Sequence, residues 1–289
     1  MGVQSEQSCP GCGRSCSASD ALCPLCGHLF RIAKSEPAPQ PYAERTPRTF
    51  ELDDDPVADV SMRFFWLGAL TAPLFAFLPL LDYMGWFLSA LTHALGHSIV
   101  AWVLGMPAYP AIRLDGHAAA FHEEQKLWLV GFFLVAGIWS LWQFAPARRR
   151  MPLVAGFVAL YAFLALTPAR DVAHLLGGHL GELVFAAIFF GRNLSGGTTE
   201  TNAERVLYGT VAWYLAGSNA VMTFRLATSE AARLEYASSG SFGLRNDYLR
   251  IAEDHLGVPL PLIAFVMTVV AIAVPLVVLA AWTRLRRAH

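Results

Sequence analysis

Apolar residues run through this chain in seven long blocks separated by polar breaks, the longest of them Arg225–Gly257. The blocks are Phe64–Leu81, Trp86–Met106, Leu127–Ala145, Pro152–Thr167, Val172–Gly191, Val206–Phe224 and Val258–Trp282. Each comes close to the ~17–25 residues that a bilayer-crossing helix needs, Pro152–Thr167 being the shortest. Pro73 and Pro79 interrupt the first block, so it is expected to be broken or re-entrant. The pattern predicts an all-α polytopic membrane protein, with six or seven transmembrane helices over 63–289.

Composition agrees. The chain is 55% hydrophobic and 15% charged, with a mean hydropathy of +0.44, which is too apolar for an ordinary soluble domain. A net charge of −1 gives no sign of a nucleic-acid partner. The polar start has no apolar leader, so no cleavable signal peptide is expected.

The first 62 residues read differently. Cys9-Pro-Gly-Cys12-Gly and Cys23-Pro-Leu-Cys26-Gly are paired knuckles, and together they predict a zinc ribbon over 1–32. Four thiolates complete a closed structural zinc site, which folds a module too small to have its own core. Cys16 is a spare cysteine that could replace a neighbour, and His28 is a weaker substitute. Such a ribbon usually binds a protein partner or a substrate. Residues 33–62 hold Pro37, Pro39, Pro41, Pro47 and the acidic run Asp53-Asp54-Asp55, a composition suited to an extended linker.

The chemistry is concentrated in the second block, at His93-Ala94-Leu95-Gly96-His97. Histidines four residues apart share a helix face and can reach one metal ion. Zincins place them in His-Glu-x-x-His, where the Glu is the general base; here that position is Ala94. Histidines inside a membrane segment are costly and are functional candidates by default.

With Ser98-Ile99-Val100-Ala101 following, this helix resembles the motif helix of the site-2 protease family, which are intramembrane zinc metalloproteases. The resemblance implies a zinc ion on His93 and His97, a membrane-spanning protein as substrate, and a substrate-binding hairpin that dips into the membrane. The sequence offers such a hairpin independently. Ala111–Leu114 and His117–Phe121 flank Asp115-Gly116, a two-residue turn signal, and Ile112 and Leu114 are candidate substrate contacts. The resemblance also implies an Asp as third ligand, usually within Leu-Asp-Gly of a later membrane helix. Leu114-Asp115-Gly116 comes too early for that and reads as turn chemistry.

The fifth block offers Asp171, His174, His179 and Glu182. If every later block crosses, His97 lies ~13 Å from the shared face, His179 ~12 Å and His174 ~4.5 Å. Depth therefore favours His179 as third ligand, with His174 and Asp171 as alternatives. Glu182, on the same face, is a candidate base or ligand. Asn219 is a candidate for bonding a substrate backbone or a neighbouring helix.

These residues predict an intramembrane zinc metalloprotease with two zinc ions, catalytically silent while Ala94 replaces the base. Ala94 marks either an inactivating change or a natural pseudoenzyme. One alternative is a non-catalytic membrane binding or adaptor protein. A second is a membrane metal oxidase, since His93/His97, His117/His122 and His174/His179 superficially resemble histidine boxes. Arg148-Arg149-Arg150 and the arginines at 284, 286 and 287 are the orientation signals. With thiolates favouring a reducing compartment, a cytosolic N-terminal ribbon is expected.

Overall fold

The structure is a computed structural model that describes residues 6–9, 12–17, 57–112, 118–196, 199, 201–239 and 245–287. It divides into two units, Met1–Glu51 and Leu52–His289.

In the first unit, β1 (Glu6–Ser8) and β2 (Ser15–Ser17) form an antiparallel hairpin with Gln7 opposite Cys16. Cys9 is buried where β1 ends and Cys12 is exposed in the turn. Gly13 has φ +73° and donates its N–H to the Cys9 carbonyl at 2.7 Å. That left-handed turn explains why a glycine follows the first knuckle. Cys23, Cys26 and His28 lie outside the described residues.

The second unit contains α1 (Val57–Thr71), α2 (Leu74–Phe77), α3 (Pro79–Val103), β3 (Ala108–Ile112), β4 (Ala118–His122), α4 (Leu127–Phe144), α5 (Ala147–Leu166), α6 (Ala169–Ser195), α7 (Asn202–Thr228), α8 (Glu230–Ser238), α9 (Asp247–Arg250), a π-helical turn (Ile251–Leu256) and α10 (Leu260–Arg287). Among the described residues, six segments are long and apolar enough to cross a membrane: Val60–Phe77, Pro79–Val103, Leu127–Phe144, Ala147–Leu166, Ala169–Ser195 and Leu260–Arg286. The chain is a multi-pass, helical membrane protein.

The expected break in the first block is present. Helix α1 stops at Thr71 before Pro73, and Pro79 opens α3, where its missing N–H breaks no helical bond. The expected linker ends too late. Helix α1 starts at Val57, and Ser61 is fully buried, donating to the Leu194 carbonyl at 2.8 Å. The sixth block is α7, whose 27 residues give a length of ~40 Å. It is less apolar because its inward face buries Arg205, Thr210, Asn219 and Thr223.

Arg205 explains one end of this bundle. Its guanidinium donates to the Asn193 carbonyl and to Ser61 Oγ, tying α7 to the C-terminal turn of α6 and to α1. Carbonyls at a helix C-terminus carry partial negative charge that suits a cation. Arg205→Met should therefore cost about 2–3 kcal/mol, the upper range for hydrogen bonds to a charged group, read as a lower melting temperature of the detergent-solubilised protein.

Helix α3 ends in a glycine cap. Gly105 has φ +86°, and the Met106 N–H returns to the Ala101 carbonyl at 2.8 Å. The chain then enters β3, where Trp102 Nε1 donates to the Ala108 carbonyl. The hairpin is antiparallel as expected, but displaced. Its pairs run from Ala108↔His122 to Ile112↔Ala118, which leaves an odd number of residues between the strands. A two-residue Asp115-Gly116 turn does not fit that register without a bulge. The tie to α3 sets the strand start, and Leu114–His117 lie outside the described residues.

The main core gathers Phe65, Leu183, Phe190, Leu215, Tyr248 and Ile251, between α1, α6, α7 and α9 and beside α10. Helices α4 and α5 flank it and expose Phe132, Val135, Trp139, Leu160 and Phe163, surfaces suited to lipid tails.

Candidate metal centre

Helices α3 and α6 touch backbone to backbone. A Cβ on Gly96 would collide with the Gly177 carbonyl and the Gly181 Cα, and a Cβ on Gly181 would collide with the Gly96 Cα. Small residues let membrane helices approach this closely. The glycine between the two histidines is therefore explained by packing. Gly178 does something further: a Cβ there would sit 2.5 Å from the Nε2 atoms of both His93 and His97. Gly178→Ala should consequently abolish metal retention at this site while the purified protein stays helical by circular dichroism.

Three ligand atoms converge in that space. His93 Nε2 and His97 Nε2 are 3.0 Å apart, and Asp247 Oδ2 lies 3.2 Å from the first and 3.0 Å from the second. The far side of each ring is already committed. His97 Nδ1 donates to the His174 carbonyl at 2.7 Å. Because a carbonyl only accepts, that nitrogen carries the ring proton. His93 Nδ1 lies 2.7 Å from Glu182 Oε1 and donates to it in the same way. In neutral rings both Nε2 atoms then present lone pairs to each other and to a carboxylate oxygen. Three acceptors at this range repel unless a cation lies among them, and one divalent ion serves all three.

His179 completes the surround. One of its ring nitrogens lies within 4.8 Å of ligand atoms on His93 and Asp247. Its ring packs 4.5 Å from His93 and stacks 4.3 Å from Tyr248, and its Nδ1 is buried without a hydrogen-bond partner.

Glu182 is not placed as a ligand to the same ion or as a free base. Its oxygens accept from His93, from Ser89 Oγ at 2.8 Å and from Asn219 Nδ2 at 2.6 Å. A carboxylate behind a ligating histidine fixes the ring and raises its basicity. Glu182→Gln should weaken metal affinity about 10–100-fold, measured by competition with a chelator of known strength.

The other expected residues sort by position. Asp171 pairs with Arg170 in the first turn of α6 and does not line the cavity. At a helix start it is too shallow to reach ligands mid-helix on α3. His174 lies one step out, its ring 5.2 Å from His97 and 4.8 Å from His122, so its carbonyl rather than its ring serves the site. Ile112 does not line the cavity; Ala119 and Ala120 of β4 do. Asn219 acts between helices through its amide nitrogen, while its Oδ1 is buried without a partner at the cavity wall. Ala94 is fully buried and does not line the cavity.

Asp247 was not legible in the sequence. It stands in the polar stretch before α10, among other charged residues, with no spacing that ties it to a histidine. The cavity around these groups has a volume of about 420 Å³. Comparison of the chain with protein-family models, curated proteins and solved structures gives no match.

Proposed function

We propose that this protein is an intramembrane metalloprotease of site-2 type, silent as written, that holds a membrane-spanning segment of a client beside a zinc ion. The reading rests on the convergence of His93, His97 and Asp247, with His179 alongside, in a cavity walled by membrane helices. Zinc bound there supplies Lewis acidity that polarises a peptide carbonyl and acidifies a water. The chain's own residues do the rest. Glu182 and the His174 carbonyl hold the histidine rings in the required tautomer. Asn219 Oδ1 offers an acceptor to a backbone N–H of the client. The edge of β4 at Ala119 and Ala120 is a surface on which an unwound segment can add as a strand.

A second, apolar cavity of about 680 Å³ shares Tyr214, Ser218, Met222, Tyr236 and Ser239 with the first. The break at Ala72-Pro73 lines it, which gives an apolar segment a way in from the lipid. The N-terminal cysteines hold a structural zinc on the cytosolic side and recruit a protein partner.

The test is capture. A photo-crosslinker at Met222 in the full-length chain should trap intact single-span proteins. Crosslinks to lipid alone would overturn the reading. The burial of Ala94 outside the cavity favours a second reading, a binding protein that never cuts. Iron rather than zinc in the purified protein would favour the oxidase, whose extra histidines His122 and His174 pack edge to face, 4.8 Å apart, with His174 at the cavity wall.

A further inference from the structure

Among the described residues, two arginines line the candidate metal cavity, and they differ in what they hold. Arg245 forks between Glu253 and Asp254, so its charge is matched. Arg250 is half-buried, lines the same cavity, and has no side-chain hydrogen bond or ion pair among the described residues. It follows Asp247 by three residues in α9, so the two side chains share a helix face. The turn that brings a carboxylate to the metal centre thus brings a guanidinium with it.

Charge decides what that guanidinium is for. A divalent ion among neutral histidines is balanced by Asp247 and by Glu182 behind His93. Among the described residues, Arg250 is then the unmatched charge of the cavity. We propose that Arg250 binds a carboxylate of the client next to the bond to be cut, either an acidic side chain or a chain-terminal carboxylate. A guanidinium fork matches a carboxylate with two parallel hydrogen bonds, and walls of low dielectric strengthen the pair. An acidic residue within a membrane span is costly in lipid. A client carrying one gains a partner for it on entering the cavity, and that difference selects such clients over uniformly apolar spans. The inference rests on the proteolytic reading for the nature of the ligand.

The test uses the full-length, zinc-loaded protein with Ala94 in place, so that ligands bind uncut. The probes are fluorescent single-span peptides in detergent, identical except for Glu or Gln at mid-span. A second pair is truncated at that position with a free or amidated C-terminus. The acidic member of one pair should bind about 10–100-fold more tightly than its neutral twin, and the pair that shows the preference identifies the source of the carboxylate. Arg250→Gln should erase the preference with metal content unchanged. Arg149→Gln, in the first turn of α5 and away from the cavity, should leave it intact. Should the Gln variant lose metal, Arg250→Lys, which keeps the charge but not the fork, should lower the preference in its place. Equal binding of acidic and neutral peptides, or a preference that survives loss of the fork, overturns the Arg250 assignment while the proteolytic reading stands. Failure of every peptide to bind overturns both.

Discussion

Asp247→Asn should strip the membrane unit of its metal while leaving the zinc expected at the N-terminal cysteines. The substitution keeps the side chain's shape and removes the charge that faces both Nε2 atoms at 3.0–3.2 Å. Partners behind a ligand are worth about 10–100-fold in metal affinity, so loss of a charged direct ligand should exceed ~100-fold. Full-length protein equilibrated against graded chelator should fall from two metals per chain to one. Asp171→Asn, the change suggested by the site-2 resemblance, should keep both. A second metal that survives in Asp247→Asn, or disappears in Asp171→Asn, would show that the ligand set has been misassigned.

The contrast between these two aspartates shows what a sequence reveals of such a site. The His93/His97 pair is legible because both candidate ligands sit on one helix, where spacing alone sets the shared face. His179 is legible by depth, since two antiparallel spans count residues from a common surface. Asp247 obeys neither rule. It reaches the site because α9 packs into the main core, with Tyr248 and Ile251 buried on either side of that turn. Nothing in the local pattern announces such a tertiary contact. The membrane helices were legible for the opposite reason: length and apolarity are local. Helix α7 sits at the edge of that signal, because Arg205 and Asn219 lower its hydropathy while pointing inward. The β-hairpin was half legible. Its existence followed from the turn residues, but its register differs from the one those residues imply, running from Ala108↔His122 to Ile112↔Ala118.

Position 94 separates an enzyme from a scaffold. No carboxylate among the described residues is free to take a proton from water at this metal centre. Asp247 faces the Nε2 atoms of His93 and His97, and Glu182 accepts bonds from Ser89, His93 and Asn219. Ala94→Glu should supply one and create cleavage of a membrane-spanning client. A positioned acid–base group is worth about 10²–10⁴-fold, and the cleavage should vanish with chelator. Ala94 is fully buried, so a longer side chain must displace its neighbours, and overpacking of this kind costs about 1–3 kcal/mol. Ala94→Gln is therefore the control, because it imposes the same volume without a base. Cutting by the Glu variant alone, with metal content equal in all three proteins, assigns the reaction to the carboxylate. Equal cutting by the Ala, Gln and Glu forms would place the base elsewhere. A folded, metal-loaded Glu variant that crosslinks clients through Met222 and leaves every one of them intact would make this chain a holder of membrane segments, with a metal centre used for binding.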